Sequence, residues 1–185
     1  MSRGTQETEI KLPVADVDSA RRMLYRAGFR VHKRRRFEDN FVFDTPDQAL
    51  LKVRSLLRLR EAGGKAIVTF KGAPIASKHK VREELEVEVS QAARARAIFE
   101  RLGFRPVFRY QKYRTEYKQP SRPGTATLDE TPIGVYLELE GQPAWIDRAA
   151  RALGFKEQDY ITDSYGRLFQ QWREKNLLER PDMVW

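Results

Sequence analysis

The chain has 185 residues, 41% of them hydrophobic and 33% charged, with a formal net charge of +9. That balance excludes a disordered segment and allows one sizeable core, while the absence of cysteine rules out disulfides, thiolate metal sites and cysteine nucleophiles. His32 and His79 are its only histidines, which leaves little for a histidine zinc site, and no apolar run is long enough to span a bilayer.

Met1-Ser2-Arg3-Gly4 lacks the basic-then-apolar start of a secretory signal, so a cytoplasmic location is expected. Glu7-Thr8-Glu9-Ile10-Lys11 reads as the first strand, and Pro13 and Asp16 lead into a helix over about 16–28 that Gly28 caps. Residues 39–44 read as a strand, Thr45-Pro46-Asp47 as a turn, and 50–61 as a long strand joined through Gly63-Gly64 to a partner over 65–72. A loop at 73–78 precedes strand 80–90, a helix over 91–102 ended by Gly103, and strand 107–118. A Pro/Gly-rich turn follows, then strands at 125–130 and 135–141, a helix over 143–153 ended by Gly154, and a last helix over 163–175. The sum is about eight strands, expected antiparallel, with helices between some of them.

The strands share an unusual pattern. Side chains alternate across a strand, so Glu7, Glu9 and Lys11 lie on one face and Thr8, Ile10 and Leu12 on the other. Arg58 and Arg60 alternate with leucines, as do Glu138 and Glu140; Arg82, Glu84, Glu86 and Glu88 alternate with Leu85, Val87 and Val89. Lys112, Arg114 and Glu116 alternate with Tyr113, Thr115 and Tyr117. Three helices end in Gly-Phe (Gly28-Phe29, Gly103-Phe104, Gly154-Phe155), with each phenylalanine expected to pack back on the sheet, so helices cover the apolar strand faces.

The net positive charge points to an anionic partner. Lys33-Arg34-Arg35-Arg36 is the kind of run that suggests nucleic acid, but no zinc-finger spacing, RNA-recognition signature or basic zipper accompanies it. The run is therefore read as a solvated loop after the first helix, and nucleic acid is disfavoured as a partner.

If helices take the apolar faces, eight antiparallel strands can close into a barrel that turns the charges inward. A dry interior could not hold them, because desolvation costs several kcal/mol per ion. A water-filled bore could, with opposite charges offsetting one another and a ligand joining in. Arginine forks and lysine ammonium groups suit phosphate, and carboxylates suit Mg²⁺ or Mn²⁺ held together with phosphate oxygens. Bases for a polyphosphate beside acids for its metal is the combination that phosphoryl transfer requires.

At this point the residues resemble a known family. Glu7-x-Glu9-x-Lys11 is similar to the E-x-E-x-K signature of the CYTH family, the triphosphate tunnel metalloenzymes. Leu57-Arg58-Leu59-Arg60, Thr69-Phe70-Lys71, Arg82-x-Glu84-x-Glu86, Lys112-x-Arg114, Leu128-Asp129-Glu130 and Glu138-x-Glu140 follow in that family's order, over nearly the whole chain. The resemblance implies an α+β fold, an eight-stranded antiparallel tunnel with helices outside, as a single domain over residues 1–185. It implies Glu7, Glu9, Asp129, Glu138 and Glu140 as ligands of Mg²⁺ or Mn²⁺. Lys11, Arg58, Arg60, Lys71, Arg82, Lys112 and Arg114 would bind a triphosphate, with Glu7, Glu9 and Lys112 as the candidate catalytic residues. Glu7 and Glu9 are expected opposite Glu138 and Glu140 in the barrel, and Glu84 and Glu86 are expected to balance the basic wall.

Members of that family hydrolyse inorganic triphosphate, thiamine triphosphate or RNA 5′-triphosphate ends, or cyclise ATP as class IV adenylyl cyclases. Residues 40–46 and 128–134, with Ser164-Tyr165, look most like the cyclase-like bacterial branch. Some members pair a tyrosine in the strand after the first helix with the lysine of K-x-R; here that strand offers Phe41 and Phe43. Phe41, Phe43 and Tyr136 could stack on a base, but strand aromatics are more often core. Hydrolysis of a triphosphate compound (inorganic triphosphate, thiamine triphosphate or ATP) is thus expected ahead of cyclisation. A non-catalytic polyphosphate- or nucleotide-binding module is the third reading, and a homodimer would suit a small barrel.

Overall fold

The computed structural model describes residues 5–185; the Met1–Gly4 start weighed above lies outside the described residues. Eight strands, β1 (Thr5–Val14), β2 (Arg30–Asp44), β3 (Leu56–Ala62), β4 (Lys65–Lys71), β5 (Lys80–Val89), β6 (Arg105–Lys118), β7 (Thr125–Thr131) and β8 (Gly134–Glu140), close into one barrel. Their order around it is β1-β5-β4-β3-β2-β6-β7-β8, and every pair is antiparallel. The fold is the expected α+β tunnel. Strand pairing sets the site: Glu9 lies beside Glu140 and Lys11 beside Glu138 on adjacent strands. Glu7 and Glu9 are therefore next to Glu138 and Glu140, not opposite them.

Helices α1 (Val17–Arg26), α3 (Ala92–Arg101) and α4 (Pro143–Ala152) lie on the outer wall, where the apolar half of each alternation needs cover. Asp16 starts α1 by accepting the Ser19 N–H at 2.7 Å, and Ala20 and Leu24 then face inward. Ile10 and Leu12 of β1, Ala126 and Leu128 of β7, and Leu137 and Leu139 of β8 meet α1 and α4 in the main core. A second cluster packs Phe43, Leu59 and Ala66 under Ala95 and Phe99 of α3. The three Gly-Phe ends follow the expected geometry. Gly28, Gly103 and Gly154 take positive φ, and the N–H of the following phenylalanine closes the turn onto the carbonyl of Leu24, Phe99 or Ala150. Phe29 is fully buried in the main core.

One glycine is required by contact instead of torsion. A Cβ on Gly124 would lie 2.2 Å from the Trp145 ring, so the turn before β7 can pass the indole of α4 only without a side chain.

Two further expectations need correction. The first is the basic run, which is strand and not loop: Lys33–Arg36 belong to β2, which starts at Arg30 and pairs with β6 through three register shifts, two of them flanking Lys33. The strand expected to start at residue 50 begins at Leu56, because α2 (Ala49–Lys52) intervenes. Asp44 holds that short turn, its carboxylate accepting the N–H groups of Leu50 and Leu51 at 2.9 Å each. The reading of strand aromatics as core holds for two of them: Phe41 and Phe43 face α3 on the outside, where they cannot stack on anything in the bore.

Helix α5 (Tyr165–Asn176) lies across one end of the barrel instead of along its wall. Tyr165 and Phe169, with Met183 from the C-terminal segment, pack on Val42, Phe108, Tyr110 and Tyr136. These last four share the inward face of their strands, so this end is filled by an apolar, largely aromatic floor. Met183 is tied to β6 by backbone hydrogen bonds with Arg109 and Gln111. None of these helices is long and apolar enough to cross a membrane.

Candidate functional site

Above that floor the inner wall is almost entirely ionic. Every residue singled out from the sequence for metal or triphosphate lies on the inward face: Glu7, Glu9 and Lys11 from β1, Arg58 and Arg60 from β3, Lys71 from β4, Arg82 from β5, Lys112 and Arg114 from β6, Asp129 from β7, and Glu138 and Glu140 from β8. Lys11 and Lys112 are each 2% exposed and Asp129 is fully buried, which is affordable only because each meets opposite charge.

The charges sort into three neighbourhoods. In the first, Lys71 lies 2.6 Å from Glu7 and 2.9 Å from Glu84, and the Arg82 guanidinium is 3.4 Å from Glu7. Lys11 lies 3.1 Å from Glu9 and 3.4 Å from Glu138. Burial alone would depress the Lys11 ammonium, but Glu9 and Glu138 hold it above its ordinary value.

A second neighbourhood is centred on Asp129. Arg114 grips it through Nε at 2.6 Å, Lys112 donates at 2.8 Å, and the Tyr165 hydroxyl donates at 2.8 Å. Arg114 also donates to Glu138. Burial pushes the Glu138 carboxyl up, yet Arg114, Lys11 and Lys112 outweigh it and hold the group well below the carboxylate range. The third lies across the bore, where Arg58 donates to Tyr110 and Thr69 at 3.1 Å each, and Arg58 and Arg60 share Glu86 at 3.4 Å. Glu84 and Glu86 thus lie against the basic wall.

Sequence reasoning missed Glu38, Asn40, Lys80, Tyr110 and Tyr165. Glu38 and Asn40 are fully buried on the inner face of β2, beside Lys112 and Tyr110 across the ladder. Arg114, Lys112, Arg60 and Arg36 overcome the effect of burial on Glu38 and bring its carboxyl down to about 2. Lys80 shares parity with Arg82 and lies beside Glu9, 3.1 Å from its carboxylate; burial and then Lys11 lower its ammonium to about 8. That parity was the available signal for Lys80, as it was for Asn40 beside Phe41 and for Tyr110 two residues before Lys112. No sequence pattern brings Tyr165 to Asp129.

Among the described residues no three acidic or histidine side chains stand gathered to hold a metal as they are, because lysines and arginines occupy most of the carboxylates. Glu140 is different. It makes no ion pair among the described residues, and desolvation followed by the charges of Glu7, Glu9 and Glu84 pushes it up to about 7, even though its outer edge reaches solvent. Glu140 is thus the carboxylate of this corner without a base of its own, beside Glu7, Glu9 and Glu84, which pair with Lys71, Arg82, Lys11 and Lys80. All four carboxylates are hard oxygen donors, the kind Mg²⁺ and Mn²⁺ take, so this corner fits such an ion.

The comparisons with known proteins agree with this architecture. The family model for the CYTH domain matches residues 5–165. A protein of Methanocaldococcus jannaschii provisionally named an adenylate cyclase is 33% identical over 135 residues, 72% of this chain and 75% of its own length. A crystal structure from Vibrio parahaemolyticus, also provisionally an adenylate cyclase, superposes with a TM-score of 0.77 at 21% identity, covering 91% of this chain and 99% of that one. A Hippeastrum protein, described as an adenylyl cyclase candidate with a dominant triphosphatase activity, superposes at 0.64 with 20% identity, over 94% and 97% of the two chains. A closed antiparallel tunnel, its ionic lining and a family match running from β1 to the first residue of α5 together make this chain a member of the CYTH domain family.

Proposed function

We propose that the chain is one tunnel domain that binds a triphosphate compound and hydrolyses its phosphoanhydride with the help of Mg²⁺ or Mn²⁺. The observation that carries this reading is a bore lined with inward-facing bases in which one carboxylate, Glu140, has no ion-pair partner among the described residues. Bases from β1, β3, β4, β5 and β6 line the bore, most of them held by its carboxylates, while Glu140 stands unpaired at its edge beside Glu7, Glu9 and Glu84. A linear polyanion fits the first and a divalent cation the second.

In this reading Lys11, Arg58, Arg60, Lys71, Arg82, Lys112 and Arg114 hold the phosphates, the arginines through two-pronged contacts and the lysines as point charges. Glu7, Glu9 and Glu140 hold the cation, with Glu138 behind them. A bound divalent ion supplies charge neutralisation on the phosphate oxygens. Asp129 orients Lys112 and Arg114 by accepting from both. Positioning and charge stabilisation by these fixed groups supply most of the catalysis in phosphoryl transfer, which needs little covalent chemistry from the protein.

Cyclisation of ATP is the second reading, favoured by the name of the Methanocaldococcus jannaschii relative. A cyclase must also seat the base and sugar. Of the three rings considered for that, two face α3, and Tyr136 is packed edge-on against Tyr165. The dominant triphosphatase activity of the Hippeastrum neighbour supports hydrolysis. Chromatography of the products from inorganic triphosphate and from ATP, with Mg²⁺ or Mn²⁺, tests the choice. Orthophosphate release, faster from triphosphate, is expected; cyclic AMP with pyrophosphate as the dominant products would promote the cyclase. No turnover of either substrate, with triphosphate still bound, would leave a binding module.

A further inference from the structure

Strands β1 and β5 part at a particular place. Their pairing ends at Glu9 beside Lys80, and beyond it Lys11 exchanges both backbone hydrogen bonds with Ile161, at 2.8 and 2.9 Å. The gap is closed from outside by a polar cluster. Asp147 of α4 lies 2.8 Å from the His79 ring through Oδ1, accepts the Tyr160 hydroxyl at 3.2 Å on the same oxygen, and meets Lys78 at 3.0 Å through Oδ2. Lys78 also reaches Glu157 at 3.1 Å. His79 is 3% exposed although it points away from the bore. The residue after His79 is Lys80, and the residue after Tyr160 is Ile161, the backbone partner of Lys11.

Inside, the same junction brings buried bases close together. Lys11 and Lys80 both contact Oε1 of Glu9, each at 3.1 Å. Next to them, Glu7 holds both Lys71 and Arg82. Two buried ammonium ions on one carboxylate oxygen repel each other, and the backbone must hold them together. The outer cluster anchors both backbones that carry them.

We propose that Lys80 is a further phosphate-binding residue of the tunnel, and that the His79–Asp147–Tyr160 cluster is a clasp that positions it beside Lys11. The proposal rests on the triphosphate reading above. Lys11 also reaches Glu138 at 3.4 Å, whereas Lys80 pairs with Glu9 alone among the described residues, so an oxyanion entering between the two ammonium groups gives Lys80 a second counter-charge. The clasp works through Lys80, so its effect on ligand binding requires that lysine.

Calorimetric titration of the full chain with inorganic triphosphate in EDTA reads binding without turnover. Arg58→Ala serves as the control for the triphosphate reading. Lys80→Met, which keeps length and leaves Lys11 to pair with Glu9, should lose about ten- to a hundred-fold in affinity, and Lys80→Arg should retain most of it. Asp147→Asn should weaken binding at least about two-fold in the native background and not at all on top of Lys80→Met. Unchanged affinity in Lys80→Met, with Arg58→Ala impaired, overturns the role of Lys80. An equal loss from Asp147→Asn in both backgrounds overturns the clasp, since general loosening of the barrel would act without Lys80. If the wild type itself fails to bind, the triphosphate reading falls first.

Discussion

Two glutamates in one tunnel behave in opposite ways. Glu38, on the β2–β6 side, is fully buried and yet brought down to about 2; Glu140, at the β8 rim, reaches solvent and is pushed up to about 7. If burial decided protonation, the order would be reversed. At Glu38 the charges of Arg114, Lys112, Arg60 and Arg36 outweigh burial, whereas at Glu140 burial acts first and the charges of Glu7, Glu9 and Glu84 add to it. The base-rich side is a finished electrostatic structure, and the acid-rich corner is an unfinished one that a cation would complete.

The sharpest way to break this comparison is to neutralise each acid in turn. Glu38→Gln strands buried bases and should cost roughly 3–5 kcal/mol of stability at neutral pH, measured by urea unfolding. The sign of its pH dependence follows from the depressed value. Its contribution is fully present above the ordinary carboxylate value of 4.5, and is lost as pH falls from there through about 2, so the gap between variant and wild type should close over that window. Glu140→Gln should do the reverse, leaving the melting temperature level or higher. Metal-dependent turnover should fall by about a hundred-fold, since even outer partners of metal ligands cost ten- to a hundred-fold. Loss of stability without loss of turnover would remove Glu140 from the metal corner.

On the base-rich side, Arg60→Ala should weaken triphosphate binding by about ten- to a hundred-fold in a calorimetric titration while changing stability much less. Unchanged affinity would take that arginine out of the phosphate wall. The smallest effect is expected outside the tunnel. Arg34 is exposed in the part of β2 that pairs only with β6, and Arg34→Ala should stay within about 0.5 kcal/mol of wild type in stability, with unaltered triphosphate affinity.

Much of this was legible in the sequence because alternation is a strong code when one strand face is apolar and the other charged. Ile10 and Leu12 against Glu9 and Lys11 announce both the helix-covered wall and the bore. The code failed at Lys33–Arg36 for a physical reason: there β2 runs outside the barrel with both faces wet, so no apolar residues mark the alternate positions. It failed at α2 because Ala49-Leu50-Leu51 is equally good strand or helix, and the Asp44 carboxylate decides by capturing two N–H groups. Glu38 stood one residue before the assumed start of its strand. Which carboxylate each lysine chooses, such as Lys80 for Glu9, is set by register between strands distant in sequence, and no local pattern carries it.

The floor beneath the charges governs traffic. With Tyr165, Phe169 and Met183 filling one end, whatever the tunnel admits must come and go by a single door. A chain of phosphates longer than the bore cannot thread through it; it can only present a terminus, as a key enters a lock with no keyhole on the far side. Under the proposed hydrolysis, the departing piece would have to clear the passage before the next terminus arrives, so traffic through the bore would run in strict turn.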